Sequence, residues 1–342
     1  MMAPERRRVI QTCGCVAVLW LAATLGAGAA RASPALPSPA LPSGARPLSV
    51  TLLRATALDR TPAGRPIAVI KARDGFGEAT RLPVLARRTG RYGVWLLVRV
   101  AIRRGWVPLA GTYPSTSAPR RPGLVHALGP ILATPGTSVL VTALDGEPLY
   151  AHGPTTPRIL ASNTKLFTTA AAVARYGASI NPLLMQILPY SNNQLAQQLS
   201  DRLGGGSPAR GAGIASRFAC SLGPCAGLYD GSGLDPRDIA SPRAVVNLLA
   251  QMRFVSDFRG WVRAFPVSGV SGTLAARMHG VARGRCQAKT GTLFIPLVST
   301  LSGYCHTLHH EIVVFSILMN GVDISSAHAS QDRAVAEIVR LG

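Results

Sequence analysis

The chain has 342 residues, enough for about two domains, and its mean hydropathy of +0.24 excludes a disordered basic tail. Its net charge of +21 comes from 36 basic residues against 15 acidic ones. Three of the basic residues are lysines (Lys71, Lys165 and Lys289) and the other 33 are arginines, so the lysines stand out from an arginine background.

Residues 1–32 have the three parts of a secretory signal peptide. Residues 6–8 are basic, residues 15–21 are apolar, and an A-x-A end predicts cleavage after Ala32. The alternative is an uncleaved anchor, although the apolar core is short for a membrane-spanning helix. Export to the periplasm or another extracytoplasmic part of the envelope argues against nucleic acid as a partner. In that compartment, a mature chain of net charge +18 is expected to be attracted without specific contacts to anionic envelope polymers.

A β-rich segment lies between two predicted linkers. Residues 33–47 are rich in Pro, Ser and Ala, which predicts the first linker. In residues 48–112, short apolar runs separated by Gly and Asp predict strands. With Trp95 and Trp106, the segment resembles the bacterial SH3-like barrels that precede cell-wall enzymes. A second break in residues 113–125 predicts another linker.

Residues 126–342 mix strand and helix patterns, which predicts an α/β (α+β) domain. Asp145-Gly146 marks a hairpin turn that pairs residues 149–151 back onto the preceding strand. The predicted strands of this domain are residues 137–144, 286–293, 299–305 and 311–319. Because strands lie at both ends with helices between them, we expect one antiparallel sheet whose first and last strands pair.

The helices of this domain are delimited by turn residues. Helices are predicted to end at Gly177 and Gly204, and another is predicted to begin at Ser241-Pro242. The predicted helical segments are residues 162–176, 193–203, 241–252 and 327–341. The glycine-rich run 204–213 lacks the G-K-[ST] ending of a phosphate loop, so it predicts a flexible connector.

Two of the three lysines lie in sequences that suit nucleophilic chemistry. Ser162 and Lys165 are three residues apart at the start of a predicted helix, so their side chains share one face. A lysine whose pKa is lowered by burial can remove the serine proton. Lys289 lies in a predicted strand beside Gly291, where a substrate could approach the backbone closely. Taken alone, the Tyr190-Ser191-Asn192-Asn193 segment is best explained as a helix N-cap.

The order S-x-x-K, S-x-N and K-T-G is the signature of serine penicillin-binding proteins and β-lactamases. The chain resembles the D-alanyl-D-alanine carboxypeptidases of the penicillin-binding-protein 4 (DacB) type, peptidase family S13. The resemblance runs from about Ser138 to Asn320, in the segments SNTKLFTTAAAV, YSNNQLAQQL, YDGSGLDPRDIASPRAVVNLL, PVSGVSGTLAARM and AKTGTL. It implies a β-lactamase/transpeptidase-like fold and hydrolysis of the terminal D-Ala-D-Ala bond of peptidoglycan stem peptides. Endopeptidase action on cross-links is a second activity of that family, and β-lactam antibiotics are its covalent inhibitors.

The resemblance also implies roles for the residues of the first two motifs. Ser162 would be the nucleophile that forms the acyl-enzyme, and Lys165 would be its general base. Ser191 would pass a proton toward the leaving amine, and Asn193 would orient Lys165 and the substrate amide. Residues 230–234 (DGSGL) match a family segment that lines the cleft, and no catalytic role follows for them.

The third motif is implied to bind the substrate. Lys289, with the hydroxyls of Thr290 and Thr292, would hold the C-terminal carboxylate next to Gly291. The backbone N–H groups of Ser162 and Thr292 would form the oxyanion hole, where fixed donors face the developing negative charge.

The chain departs from the family in the spacing of its first two motifs. Ser162 and Ser191 are 29 residues apart, where the family usually inserts whole extra domains, so we expect a more open cleft. The alternative function is a catalytically degenerate wall-binding or scaffold protein. A β-lactamase is less well supported, because residues 166–190 contain no acidic residue and there is no β-lactamase-like Glu motif.

Four cysteines remain after signal removal in an oxidising compartment. A hairpin turn near Ile295-Pro296 would place Cys286 opposite Cys305, which predicts a cross-strand disulfide. By elimination Cys220 and Cys225 would close a small loop. Export and irregular spacing argue against a zinc site.

The sequence gives no reason to expect a metal or a cofactor. His306, His309 and His310 with Glu311 lack the H-E-x-x-H order, and we interpret them as surface residues at a strand end.

Overall fold

The computed structural model describes residues 47, 49–90, 93–110, 112–115 and 121–342. The predicted signal peptide and all but the last residue of the first linker lie outside the described residues. Within them, no helix is long and apolar enough to cross a membrane.

Residues 49–115 form one antiparallel sheet of seven strands, in the order β3-β2-β6-β5-β4-β1-β7. The strands are β1 Ser49–Leu52, β2 Thr56–Asp59, β3 Pro66–Ile70, β4 Arg81–Gly90, β5 Gly93–Val100, β6 Arg103–Pro108 and β7 Thr112–Ser115. Alternate residues such as Leu82, Leu96 and Val107 fill its core. Because β7 pairs with β1, this N-terminal module extends past the predicted boundary at residue 112. Its SH3-like classification stays a prediction.

The second predicted linker is shorter than expected. Its first residues belong to β7, and helix α1 begins at Pro122, inside the predicted range 113–125. Proline suits the first turn of a helix, where its missing N–H costs nothing. Leu124, Leu128 and Leu132 of α1 are buried in a core that also includes residues of the C-terminal helix α8, Ile324–Leu341.

The C-terminal domain is built on a five-stranded sheet in the order β12-β13-β14-β8-β9. Its strands are β8 Thr137–Ala143, β9 Pro148–His152, β12 Cys286–Phe294, β13 Leu297–His306 and β14 Ile312–Asn320; a separate pair is formed by β10 Arg158–Ile159 and β11 Ile239–Ala240. The first and last long strands pair antiparallel, with Leu140 opposite Ser316, as predicted. Alternate residues of β14 pack on opposite faces: Phe315 joins one core and Val314 the other.

Helices cover both faces of this sheet, which agrees with the predicted α/β (α+β) architecture. Helices α1 Pro122–Leu132 and α8 Ile324–Leu341 lie on one side. The other side carries α2 Thr164–Tyr176, α3 Asn181–Ile187, α4 Asn193–Leu203, α5 Pro208–Leu222, α6 Pro242–Met252 and α7 Phe258–Arg263. As predicted, α2 ends at Gly177 and α6 begins after Ser241, whose hydroxyl accepts the Ala244 N–H.

The prediction of a flexible connector over residues 204–213 is wrong. Ser207 caps α5, and Pro208 occupies its first turn, so residues 208–213 are helical. A Cβ on Gly211 would lie 1.9 Å from the Ser200 carbonyl oxygen. The missing side chain at Gly211 therefore allows α5 to approach α4 closely, a contact that composition alone does not reveal.

A buried arginine joins the N-terminal module to the C-terminal domain. Arg253 follows α6, and its guanidinium lies 3.3 Å from the carboxylate of Asp74 in the module, with both side chains 1% exposed. The same guanidinium donates hydrogen bonds to the backbone carbonyls of Leu144, Ala250 and Arg81. These contacts satisfy a charge that would be costly to bury alone.

Candidate active site

Ser162 lies on a tight turn at the N-terminal end of α2. It is the middle residue of a short 3-10 helix, Ala161–Asn163, and Ala161 has a left-handed backbone with φ of 46°. Gly233 packs against this turn: a Cβ there would lie 1.9 Å from the Ala161 carbonyl oxygen. A strained backbone held by its surroundings is common at functional sites. Here it fixes Ser162 at the edge of β12.

Lys165 lies one helical turn further on and is fully buried. Its Nζ is 2.8 Å from Ser162 Oγ and 2.7 Å from Asn193 Oδ1, and it also donates to the Ser232 carbonyl. Burial lowers the pKa of Lys165 to about 7, against an opposing effect of the Asp230 and Asp238 carboxylates. A substantial fraction of this amine is therefore unprotonated at neutral pH and able to accept the Ser162 proton.

The residues of the second motif have two different functions: one caps a helix, and its two neighbours contact the lysines of the site. Asn192 is the N-cap of α4, and its Oδ1 accepts the Leu195 N–H at 3.0 Å. Asn193 instead presents its side-chain oxygen to Lys165, and Ser191 adopts a left-handed backbone with φ of 55°. The N-cap interpretation therefore holds for Asn192, while its neighbours contact the two lysines.

Lys289 is fully buried on β12 and contacts the second motif. Its Nζ donates to Ser191 Oγ at 2.8 Å and to the Thr290 carbonyl at 2.7 Å. Burial lowers the pKa of Lys289 well below its ordinary value, and the nearby charge of Lys165 lowers it further. An anion bound beside it would reverse this effect by favouring the ammonium form.

Gly291 sets how closely β12 approaches Ser162. A Cβ at this position would lie 2.9 Å from both the Leu160 carbonyl oxygen and the Ser162 backbone nitrogen. Thr300 on β13 holds the same segment in position, because its hydroxyl donates to the Leu160 carbonyl at 2.9 Å. The backbone of Thr292, half-buried on β12, follows directly after this contact.

The predicted hairpin register is present in the structure. Cys286 pairs with Cys305, and Lys289 lies opposite Ser302. The structure contains a disulfide between Cys286 and Cys305 at the base of β12, and a second one between Cys220 and Cys225. The first disulfide covalently links the strand that carries Lys289 to its neighbour.

Several polar residues near the motifs carried no predicted role. Thr273 is one of them: its Oγ1 accepts the hydroxyl of Thr290 at 2.7 Å, which ties the third motif to the PVSGVSGTLAARM segment. Asn163 Nδ2 donates to Ser302 Oγ at 2.8 Å beneath the nucleophile turn. Asp230 and Asp238 lie behind Lys165. The quoted segment YDGSGLDPRDI contains both carboxylates, but its sequence gives no sign that they lie behind a lysine.

The histidines after β13 do not assemble a metal centre. Across the residues that the structure describes, no group of three or more His, Cys, Asp or Glu side chains is placed to hold a metal ion. His306 is exposed at the end of β13, and partial desolvation of its ring lowers its pKa.

The fold is similar to that of β-lactamases over about two thirds of the chain. The crystal structure of a β-lactamase from Sphaerobacter thermophilus DSM 20745 matches 64% of this chain and 95% of its own, with a TM-score of 0.52 and 16% identity. A structure of penicillin-binding protein 4 (dacB) from Haemophilus influenzae matches 46% of this chain and 41% of its own, with a TM-score of 0.41 and 24% identity.

The sequence comparisons define the family more narrowly. The model of the D-Ala-D-Ala carboxypeptidase 3 (S13) family matches residues 177–340, which include the second and third motifs. A D-alanyl-D-alanine carboxypeptidase from Actinomadura sp. (strain R39) is 36% identical over 169 residues, covering 45% of this chain and 31% of that protein. The chain thus matches about a third of the relative's length. These two matches show that the C-terminal region is similar to proteins of the S13 family, the resemblance that the motifs carry.

Proposed function

We propose that the protein is a serine-type D-Ala-D-Ala carboxypeptidase that acts on peptidoglycan stem peptides through an acyl-enzyme on Ser162. The observation that carries this proposal is the contact of 2.8 Å between Lys165 Nζ and Ser162 Oγ, made by a buried amine with a pKa of about 7. A base with a pKa near the working pH is well suited to remove a serine proton. The S13 family match supports this reaction over others of the same fold.

Acylation begins when the neutral Lys165 amine accepts the Ser162 proton. Ser162 Oγ then attacks the carbonyl carbon of the penultimate D-Ala, and the carbonyl π bond opens to an oxyanion. The backbone N–H groups of Ser162 and Thr292 would stabilise this oxyanion, and the close approach at Gly291 supports that pairing. Collapse of the intermediate breaks the peptide C–N bond, which leaves the acyl group on Ser162.

The leaving D-Ala needs a proton and a place for its carboxylate. Ser191 bonds to Lys289 and can donate its hydroxyl proton to the leaving nitrogen. The proton that Lys165 took from Ser162 then passes to Ser191, which restores the Ser191 hydroxyl and leaves the Lys165 amine neutral. Lys289, with the hydroxyls of Thr290 and Thr292, would bind the terminal carboxylate as a compact charge. Water then attacks the acyl ester with Lys165 again accepting a proton, which releases the shortened peptide and restores Ser162.

The carboxylates behind Lys165 argue against rapid β-lactam hydrolysis. Asp230 accepts the backbone N–H groups of residues 232–235 and the Ser232 hydroxyl, so its oxygens are occupied and unsuited to activate water. We therefore propose that penicillin forms a long-lived adduct with Ser162.

A fluorescent penicillin tests the proposal. Wild-type protein should retain covalent label on a denaturing gel, and Ser162→Ala should not. Ser179→Ala is the matched control, because its hydroxyl bonds only the Tyr176 carbonyl at the end of α2. Absence of label on the wild type would favour a catalytically degenerate scaffold, and rapid drug turnover without label would favour a β-lactamase.

Release of D-Ala from a synthetic stem pentapeptide measures the carboxypeptidase activity directly. Cleavage of a cross-linked dimer in the same assay measures the endopeptidase activity, for which we propose a role because the cleft lacks inserted domains between Ser162 and Ser191.

We also propose that the enzyme works outside the cytoplasm after cleavage of residues 1–32. N-terminal sequencing of the exported protein should begin at Ser33, and retention of the leader would indicate an anchor. The high net charge further supports loose, salt-sensitive attraction to anionic envelope polymers, which a wall-binding assay at low and high salt measures.

A further inference from the structure

The DGSGL segment forms a turn behind Lys165. Asp230 organises this turn: its Oδ1 accepts the N–H groups of Ser232 and Gly233, at 2.7 and 2.5 Å. Its Oδ2 accepts those of Leu234 and Asp235, each at 3.0 Å. The turn is fixed in this way so that the Ser232 carbonyl points at Lys165 and accepts its Nζ hydrogen.

The turn is also tied to the two helices that carry the first two motifs. The Gly231 N–H donates to Gln197 Oε1 on α4 at 2.9 Å, and the Gly231 carbonyl accepts the Thr168 hydroxyl on α2 at 3.0 Å. The position of the Ser232 carbonyl is therefore set relative to both Lys165 and Asn193.

A second carboxyl lies directly behind the first. Asp238 is fully buried, and its Oδ1 accepts the Tyr229 N–H at 2.6 Å. Its Oδ2 is buried without a hydrogen-bond partner, and the polar side chains that interact with the Asp238 carboxyl include those of Thr164 and Asp230. A buried carboxylate oxygen that faces another carboxylate is costly unless one of the two groups holds a proton.

We propose that Asp230 and Asp238 are positioning residues for Lys165: Asp230 fixes the turn that receives the lysine, and Asp238 sets the charge behind it by taking up or losing one proton. This inference rests on the proposed function only for its catalytic consequence. The interaction itself belongs to the folded protein.

The carboxyl pair raises the pKa of Lys165. Burial raises the pKa of Asp238 to about 7, and the charge of Asp230 adds to that effect. For Asp230, burial alone would raise the pKa, but the N–H donors from Gly233, Asp235 and Ser232 outweigh it, so the pKa lies below its ordinary value. Asp230 is thus ionised at neutral pH while Asp238 is partly protonated. Each negative charge favours the ammonium form of Lys165 and raises its pKa.

Two further charged groups belong to this environment. Lys289, from β12, opposes the carboxylates because the two lysine charges repel each other. Arg237 is exposed, and its guanidinium pairs with Asp235 at 2.6 Å. With Lys165 and Asp238 titrating in the same range, their protonation steps are coupled.

The chain has only three lysines, which makes the pKa of Lys165 directly measurable. The full chain would be produced with ¹³C-labelled lysine, and the ε-CH₂ signals followed by NMR from pH 5 to 10. Lys71→Arg and Lys289→Arg variants assign the signals. Asp238→Asn is the test variant, because its amide can donate to the groups that interact with this carboxyl and so resembles the protonated acid. Asp235→Asn, in the same turn but paired with Arg237, is the control.

We expect Asp238→Asn to lower the midpoint of the Lys165 titration by about half a pH unit, with no change in Asp235→Asn. In the penicillin assay, the acid limb of the acylation rate should move equally. Acylation at pH 6, relative to the plateau of the same variant, should then be roughly threefold faster. A merely structural role would lower the plateau without moving the midpoint.

An unchanged Lys165 midpoint in a folded Asp238→Asn variant would overturn the proposal. If that variant does not fold, Asp230→Asn replaces it: loss of the permanent charge should lower the Lys165 midpoint further, and an unchanged midpoint is again contrary to the proposal. Because NMR reads the lysine in the resting protein, failure of penicillin labelling would count against the proposed function and not against this inference.

Discussion

Substituting Gly291 by alanine should slow acylation by pushing β12 away from the nucleophile. The added Cβ would lie 2.9 Å from the Leu160 carbonyl oxygen and from the Ser162 nitrogen, whereas ordinary contacts begin at 3.4 Å. Backbone on one side or the other must therefore move by about 0.5 Å. The Cβ would also lie 2.3 Å from the Thr300 hydroxyl, which would have to turn away and release Leu160.

The size of the decrease in acylation rate follows from the need to align the two proposed oxyanion donors. A misplacement of about 1 Å can cost roughly 100-fold in rate, so a shift of half that size is expected to slow acylation by roughly 10- to 100-fold. Overpacking of this kind also costs about 1–3 kcal/mol of the free energy of unfolding. The rate should fall more than this modest destabilisation explains, because the variant stays folded at 25 °C.

Second-order acylation by fluorescent penicillin measures the rate, and urea unfolding measures the stability. Gly123→Ala in α1 is the matched control, because a Cβ there would meet nothing within 4 Å. It should leave acylation unchanged and stabilise the helix by about 0.5–1 kcal/mol. Acylation of Gly291→Ala within twofold of wild type would refute the assigned role of this close approach.

Three further outcomes are expected. Arg253→Met should lower the free energy of unfolding by about 3–5 kcal/mol in urea, because it leaves Asp74 buried without its partner. The lowered pKa of Lys289 means that its ammonium is lost as the pH rises through that pKa, so the affinity for peptides with a free terminal carboxylate should fall with rising pH, while that for carboxamide analogues should not. Replacing Cys286 and Cys305 together by alanine should cost about 3 kcal/mol, since their disulfide closes a loop of 19 residues.

Each of these three predictions would be contradicted by a different result. A loss below 1 kcal/mol for Arg253→Met would mean that the two domains do not depend on this ion pair. Equal pH dependence for carboxylate and carboxamide peptides would remove Lys289 from carboxylate binding. A Cys286 thiol that reacts with an alkylating reagent in the native protein would contradict the cross-strand disulfide.

Local sequence was sufficient to predict most of the helix ends and the strand register of the C-terminal domain. Glycines and a Ser-Pro pair mark helix ends because backbone conformation at those positions depends on the residue itself, and α2 and α6 follow these signals. The register of β12 and β13 also follows from local geometry, because a short hairpin fixes which residues face each other. The glycine-rich run 204–213 was predicted incorrectly because Gly211 is required by packing against Ser200 and not by a turn.

The sequence by itself determined which residue types are available for chemistry: a serine and a lysine one helical turn apart, and a second lysine placed in a strand. Only the tertiary structure decided what surrounds them. The pKa of Lys165 is lowered because distant segments remove its amine from water, and Asp230 and Asp238 reach it from more than 60 residues along the chain. Such contacts depend on how whole elements pack, because desolvation and charge act through space and leave no periodic trace in the sequence.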